Sequence, residues 1–204
     1  MLNGIDISHH NKNMKHISDI NEFDFVIMKA SEGASYQDPA LNIFVNYLDK
    51  NTLRGFYHYA RPENGNTAKK EAENFVRTIL KYSNAPFIVA LDVEGEALKY
   101  KNLDEWVLHW CKYVYNALGI RPLIYTSEYE CQRFKLAFDF GCGLWVAKWS
   151  LQRPNKDRIK PWRFWAIWQK SSKKIVSGVR CDFNVFNGTR EQFLKYCALQ
   201  NVNN

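Results

Sequence analysis

Asp92 and Glu94 stand two positions apart at the end of PFIVALDVEGE (86 to 96), a run of strand-forming residues that closes on two carboxylates. Side chains at i and i+2 of a strand project to the same face. Two acids so placed repel each other and, beside a buried strand, lose solvation, which holds at least one of them protonated near neutral pH. A protonated carboxyl next to an ionised one is the equipment for general acid catalysis of glycoside cleavage. Taken alone, the pair also fits a solvated loop that merely begins after a strand.

The elements around the pair decide between these readings. Short apolar runs alternate with amphipathic segments, as strands and helices laid down in turn would. The strands are expected at 2 to 6, 24 to 30, 55 to 60, 86 to 93, 122 to 126, 144 to 149, 164 to 169 and 178 to 186. Helices are expected at 40 to 50, 67 to 82, 103 to 118, 127 to 137 and 189 to 200. Ala68, Ala72, Phe75, Val76, Ile79 and Leu80 form one stripe at helical spacing. Gly119 is a good residue to end the third helix, and Thr189 with Gln192 has the spacing of a capping box. Helices thin out in the last third. The fold class is therefore α/β, an irregular TIM-like (β/α) barrel of eight strands with about five helices, spanning 1 to 204 as one domain.

Parallel barrels collect their chemistry at the C-terminal ends of the strands. There the sequence puts Asp6, Glu32, Tyr57 and Tyr59, Asp92 and Glu94, Tyr125, Lys148, Gln169, and, in the eighth strand, Asp182 and Asn184. Acids from separate strands meeting at one mouth make a carboxylate cluster, which favours catalysis over a solvated loop.

The same residues carry a family resemblance. GIDISHHN (4 to 11), MKASEGASYQDP (28 to 39), GFYHYARP (55 to 62), IVALDVEGE (88 to 96), LIYT (123 to 126), LWVAKW (144 to 149), AIWQK (166 to 170) and CDFNVF (181 to 186) together resemble glycoside hydrolase family 25, the Chalaropsis-type lysozymes. The blocks run from residue 4 to about 188 in the family's order. The resemblance implies an irregular eight-strand barrel that hydrolyses the β-1,4 bond between N-acetylmuramic acid and N-acetylglucosamine in peptidoglycan. Position by position, it implies Glu94 as general acid, Asp92 as its partner carboxylate, Asp6 as a third essential acid, and Asp182 as a further cleft aspartate. Glu32 and Tyr57 match cleft positions, and Tyr125, Lys148, Trp168 and Gln169 complete the expected substrate-binding set. Ser31, Tyr59, Asn11 and Lys170 depart from the commonest pattern, which touches substrate fit and removes no acid. Two mechanisms stay open, a carboxylate nucleophile or participation of the substrate's acetamido oxygen with Asp92 assisting; we favour the second, with retention.

Five tryptophans, Trp145, Trp149, Trp162, Trp165 and Trp168, fall within 24 positions. Flat indole faces suit pyranose rings, while alternate members such as Trp165 suit the core, so two or three are expected at the cleft. His9 and His10 are read as a strand-end pair pointing oppositely, and His58 as a hydrogen-bonded core residue. No metal and no cofactor is expected, since HExxH, Cys/His spacing and the phosphate-loop and GxSxG signatures are missing.

Composition narrows the partners. The net charge is +7, from 28 Lys and Arg against 21 Asp and Glu, which suits an anionic partner such as a bacterial wall. The basic residues are dispersed, with doublets only at Lys69, Lys70 and Lys173, Lys174, so nucleic acid is not expected. Cys111, Cys131, Cys142, Cys181 and Cys197 are odd in number and widely spaced, and read as packed thiols rather than a disulfide framework or zinc site. No run approaches a membrane span and no Sec-type signal is visible. The expectation is a monomer made in the cytoplasm that acts on the cell wall, either as a phage endolysin or as an enzyme exported by another route or trimmed of a leader. A chitinase would want an acid at Ala90, and a glycan-binding barrel without catalysis, the alternative kept, would lack one of the acids present here.

Overall fold

Alternation along the strands builds two apolar layers at once. In the computed structural model, which describes residues 1–197, the strands are β1 (Leu2–Ile7), β2 (Phe25–Glu32), β3 (Tyr36–Gln37), β4 (Leu53–Tyr59), β5 (Phe87–Asp92), β6 (Leu123–Ser127), β7 (Gly143–Ala147), β8 (Ile167–Val176) and β9 (Val179–Phe186). Phe25, Ile27, Ile88, Ala90, Leu123 and Ile167 face inward as one cluster. Their neighbours Val26, Met28, Val89, Leu91, Ile124, Leu144 and Val146 face outward into a larger one. Such two-sided burial explains why these strands read as nearly continuous β-branched and aromatic runs.

The outer layer is covered by helices. They are α1 (Leu41–Tyr47), α2 (Ala68–Ile79), α3 (Leu103–Leu118), α4 (Lys135–Asp139) and α5 (Arg190–Leu194). The stripe of α2 buries Ala72, Phe75 and Ile79 completely, against Trp110 and Val114 of α3. Thr67 caps α2 by accepting from Lys70 N at 3.3 Å. Gly119 ends α3 with φ of 71°, its N–H donating to Tyr115 O at 2.8 Å. Thr189 and Gln192 exchange the two hydrogen bonds of the capping box that opens α5, and the end of the expected 189 to 200 helix lies outside the described residues. The expected helix over 127 to 137 is instead a turn, a 3-10 segment at Cys131–Arg133 and short α4. A straight helix there would forfeit the burial of Glu128, which accepts from Asn155 N, and of Phe134.

The sheet order β1-β9-β8-β7-β6-β5-β4-β2, closed by β1 against β2, makes an eight-strand barrel, with β3 added at the end of β2. Within the barrel all neighbours are parallel except at β9, which runs antiparallel to both β8 and β1, and β3 is antiparallel to β2. The antiparallel step agrees with the thinning of helices expected in the last third. The physical reason is the two-residue turn Ser177–Gly178, with φ of 45° and 84°, which reverses the chain directly and leaves no crossover helix. Consequently β8 does not stop at Gln169 as expected but continues to Val176, and Asp182 reaches the mouth from the first half of its strand.

The floor is closed by Phe25, Phe186 and Phe193, with Phe25 and Phe193 centroids 5.4 Å apart. Gly4 is required beneath them, because a Cβ there would meet the Phe25 ring at 2.5 Å. Gly4→Ala is expected to cost about 1–3 kcal/mol by overpacking and to lower Tm by several degrees; thermal unfolding checks it, and an unchanged Tm would show that the ring moves aside freely.

Candidate active site

Strand register brings the acids to one mouth. Asp6 of β1 and Asp182 of β9 are direct partners, Tyr59 lies opposite Asp92, and Asp92 lies opposite Tyr125. Asp6, Asp92, Glu94 and Asp182 line a cavity of about 360 Å³ together with Lys29, Tyr57, Tyr59, Tyr125, Trp145, Gln169 and Arg180. Glu94 follows the end of β5 in extended conformation (φ −149°, ψ −178°), so the two-residue alternation carries it past the strand. A second chamber of about 460 Å³ shares Glu94 and Tyr125 with the first and continues over Tyr129, Lys148 and Trp149. Glu94 therefore stands at the junction of the two.

One amide network fixes the base of the mouth. Asp6 Oδ2 accepts from Asn184 Nδ2 at 2.7 Å and from Gln169 Nε2 at 3.0 Å. Gln169 Nε2 also reaches Asp182 Oδ2 at 3.4 Å, and its Oε1 accepts from Tyr125 OH and Trp149 Nε1, each at 2.9 Å. Asn184 Oδ1 accepts from Trp145 Nε1 at 2.8 Å. With its two faces used this way, each amide has only one useful orientation.

Burial dominates the electrostatics. It pushes Asp6 up to about 7, with Asp182 adding to it and the bonds from Asn184 and Gln169 opposing, while Asp182 rises to about 6. Asp92 is raised well above the usual carboxylate range by burial, then by Glu94 and Asp6, and Glu94 is raised by burial and Asp182. Lys29 works against both shifts from the cavity wall, yet its Nζ sits 2.6 Å from Glu32 Oε2. Asp92 Oδ1 is buried without a hydrogen-bond partner among the described residues. Such an atom calls for an explanation in function.

The other expected residues separate. Tyr57 and Gln169 line the first chamber, Tyr125 lines both, and Lys148 lines the second, paired to Glu128 at 3.4 Å. Glu32 is not in either wall; Lys29 and Arg61 hold it, each at 2.6 Å, which keeps it below the usual carboxylate range although burial pushes up. Trp168 is likewise not a lining residue, because it is an outward-facing core side chain whose Nε1 donates to Lys148 O. Of the five clustered tryptophans, Trp145 and Trp149 reach the chambers, and Trp149 is 65% exposed.

His9 and His10 do not point oppositely. They lie on a 3-10 turn, not a strand, with ring centroids 3.9 Å apart, and His9 Nδ1 bonds Asp38 Oδ2 at 2.8 Å. His58 is fully buried between Ser31 and Glu71, as a core residue should be. All five cysteines are buried and unpaired as thiols. Sequence reasoning misses Lys29 and Arg180, and names Trp145 only among the five clustered tryptophans. Lys29 stands two after Ile27 on the inward face of β2, which the alternation does encode.

These shifts give stability a definite pH dependence. The folded Asp6 and Asp182 hold protons up to about 7 and about 6, whereas unfolded aspartates release them near ~4. Between those limits the folded state binds more protons, so stability falls as pH rises, and it is fully present only below the unfolded value. Asp6→Asn is expected to melt several degrees above wild type at pH 8 and to converge with it toward pH 4. A variant less stable than wild type at pH 8 would mean that the charged carboxylate is held favourably.

The chain is similar to known proteins over most of its length. Residues 5–179 match the model of Glycosyl hydrolases family 25. The uncharacterized protein YegX of Escherichia coli K12 is 34% identical over 172 residues, a match covering 82% of this chain and 61% of that one, so the chain spans less than two thirds of this relative. Lysozyme M1 of Streptomyces globisporus is 27% identical over 210 residues, covering 95% of this chain and 70% of that one. In structure, the bacterial lysozyme from Streptomyces coelicolor superimposes with a TM-score of 0.76 at 23% identity over 96% of both chains, a likeness of fold. No described helix is long and apolar enough to cross a membrane. With the family model matched over residues 5–179, the chain belongs to glycosyl hydrolases family 25.

Proposed function

We propose that the protein is a muramidase, cleaving the β-1,4 bond between N-acetylmuramic acid and N-acetylglucosamine in the peptidoglycan of bacterial walls. The observation that carries this reading is Glu94, a raised carboxylic acid at the junction of two chambers, facing a wall of three further acids. A glycan laid across both chambers puts a glycosidic oxygen over the acid. An inactive binding barrel has no use for four clustered carboxylates whose mutual repulsion works against the fold.

In the proposed chemistry Glu94 donates its proton to the glycosidic oxygen as the bond from the muramic acid C1 breaks. The acetamido oxygen of the same sugar closes on C1, and Asp92 Oδ1, lacking a partner, accepts the acetamido N–H and holds the group in place. Water then opens the ring intermediate as Glu94 takes back a proton, giving net retention. Asp6 and Asp182, sharing Gln169, hold the negative field below the reacting carbon. Tyr57, Tyr125 and Trp145 shape the first subsite, and Lys148 with Trp149 the second.

Glu94→Gln is expected to keep its melting curve and to lose on the order of 10² to 10⁴ in rate, because an amide cannot give the proton; activity within about threefold of wild type would reassign the acid. Product chemistry tests the bond itself. Borohydride reduction of digested, purified peptidoglycan followed by mass spectrometry should find muramitol. Glucosaminitol would make the protein a glucosaminidase, a 1,6-anhydro sugar a lytic transglycosylase, and a free amino group without a reducing end an amidase or peptidase.

A further inference from the structure

Beyond the second chamber the wall changes character. A third cavity of about 470 Å³ is lined by Trp149, Ser150, Leu151, Lys170, Ser171, Ser172, Lys173 and Phe183. It shares Trp149 and Ser150 with the second chamber and contains no carboxylate. Among the described residues neither Lys170 nor Lys173 forms an ion pair; Lys170 Nζ instead rests 5.4 Å over the Trp168 ring. Leu151 is 91% exposed and Trp149 65% exposed, so apolar surface and free ammonium groups lie side by side. The cavity exists because β8 runs past Gln169 as a hairpin above the barrel, breaking register at Gln169 and Ser171.

We propose that this third chamber binds the acidic peptide that peptidoglycan carries on its muramic acid sugars. The inference rests on the muramidase reading and on the alternation of the polymer. With a muramic acid over the acids in the first chamber, the sugar in the second is N-acetylglucosamine in whichever direction the chain runs. The next sugar along, at the third chamber, is again a muramic acid and bears a peptide. Its carboxylates find no unpaired ammonium among the acids of the first chamber and meet two free lysines here, while its methyl groups meet Leu151 and Phe183. The hairpin thus selects peptide-bearing strands over bare glycan.

The test compares wild type with Lys170→Glu/Lys173→Glu on two substrates from the same walls, peptide-bearing glycan strands and strands stripped of peptide by an amidase. For the peptide-bearing strands KM should rise about tenfold at low salt, with kcat held and the effect shrinking at 0.5 M salt. On stripped strands, which keep only the lactyl carboxylate of each muramic acid, KM should rise clearly less, with kcat held, and the Tm should match wild type. A KM rise of equal size on both substrates, or on neither, overturns the proposal. Should the double reversal fail to fold, Lys170→Gln/Lys173→Gln is read the same way with a smaller rise. If wild type cleaves neither substrate, the muramidase reading fails by itself. The chamber is then judged by titrating both proteins with peptide-bearing strands, followed by tryptophan fluorescence, and equal Kd values overturn it.

Discussion

Asp6 and Asp182 face each other on paired strands in a mouth whose burial raises both carboxyls. Everything else about the site follows from tolerating that pair. Each carboxylate removed from water costs free energy, and the repulsion between them adds to it, so the closed barrel must supply the packing that offsets both. The amides of Gln169 and Asn184 soften the cost without cancelling it, since a neutral donor does less for a carboxylate than a cation would. Lys29, a cation in the cavity wall, pairs with Glu32 instead, which Arg61 also holds. Around the mouth the ion pairs gather on Glu32, and the four acids form none among the described residues.

The antiparallel strand β9 is what makes this arrangement possible. Inserted between β8 and β1, it sets Asn184 beside Gln169 and Asp182 beside Asp6. A parallel strand arriving by way of a helix would present its last residues to the mouth, and the register of Asp182 with Asp6 would be lost. The same hairpin, continued above the barrel, provides the basic third chamber. One chain reversal at Ser177–Gly178 therefore serves both the acid cluster and the groove beyond it.

Much of this is legible in the sequence, for a simple reason. Inward and outward residues of a barrel strand are both apolar but differ at the mouth, so DFVIMKASE and FIVALDVE announce both a strand and the polar residues that end it. Asp6, Asp92, Glu94, Asp182, Tyr57, Tyr125 and Gln169 were all placed by that rule and all line the mouth. What the rule cannot see is a partner that removes a residue from the site. Glu32 has the right position but is captured by Arg61, which lies 29 residues away. Trp168 has the right composition but, next to the inward Gln169, must face out. His9 and His10 were misread because a 3-10 turn places successive side chains close together, where a strand would separate them. The segment over 127 to 137 has helical spacing, yet burying Glu128 and Phe134 outweighs the modest propensity of so short a piece.

The aromatic floor of Phe25, Phe186 and Phe193 does more than plug the barrel. It stands under the acids as a layer of insulation, excluding the water that would otherwise solvate their charges from below. Loosening that layer would let the local dielectric rise and draw the carboxyl protons toward ordinary acidity, with no change to any side chain in the groove. The pH at which the acids hold their protons is thus set in part by residues that line neither chamber. Drift in the packing of this floor is a route by which the same four carboxylates come to hold their protons at different acidities.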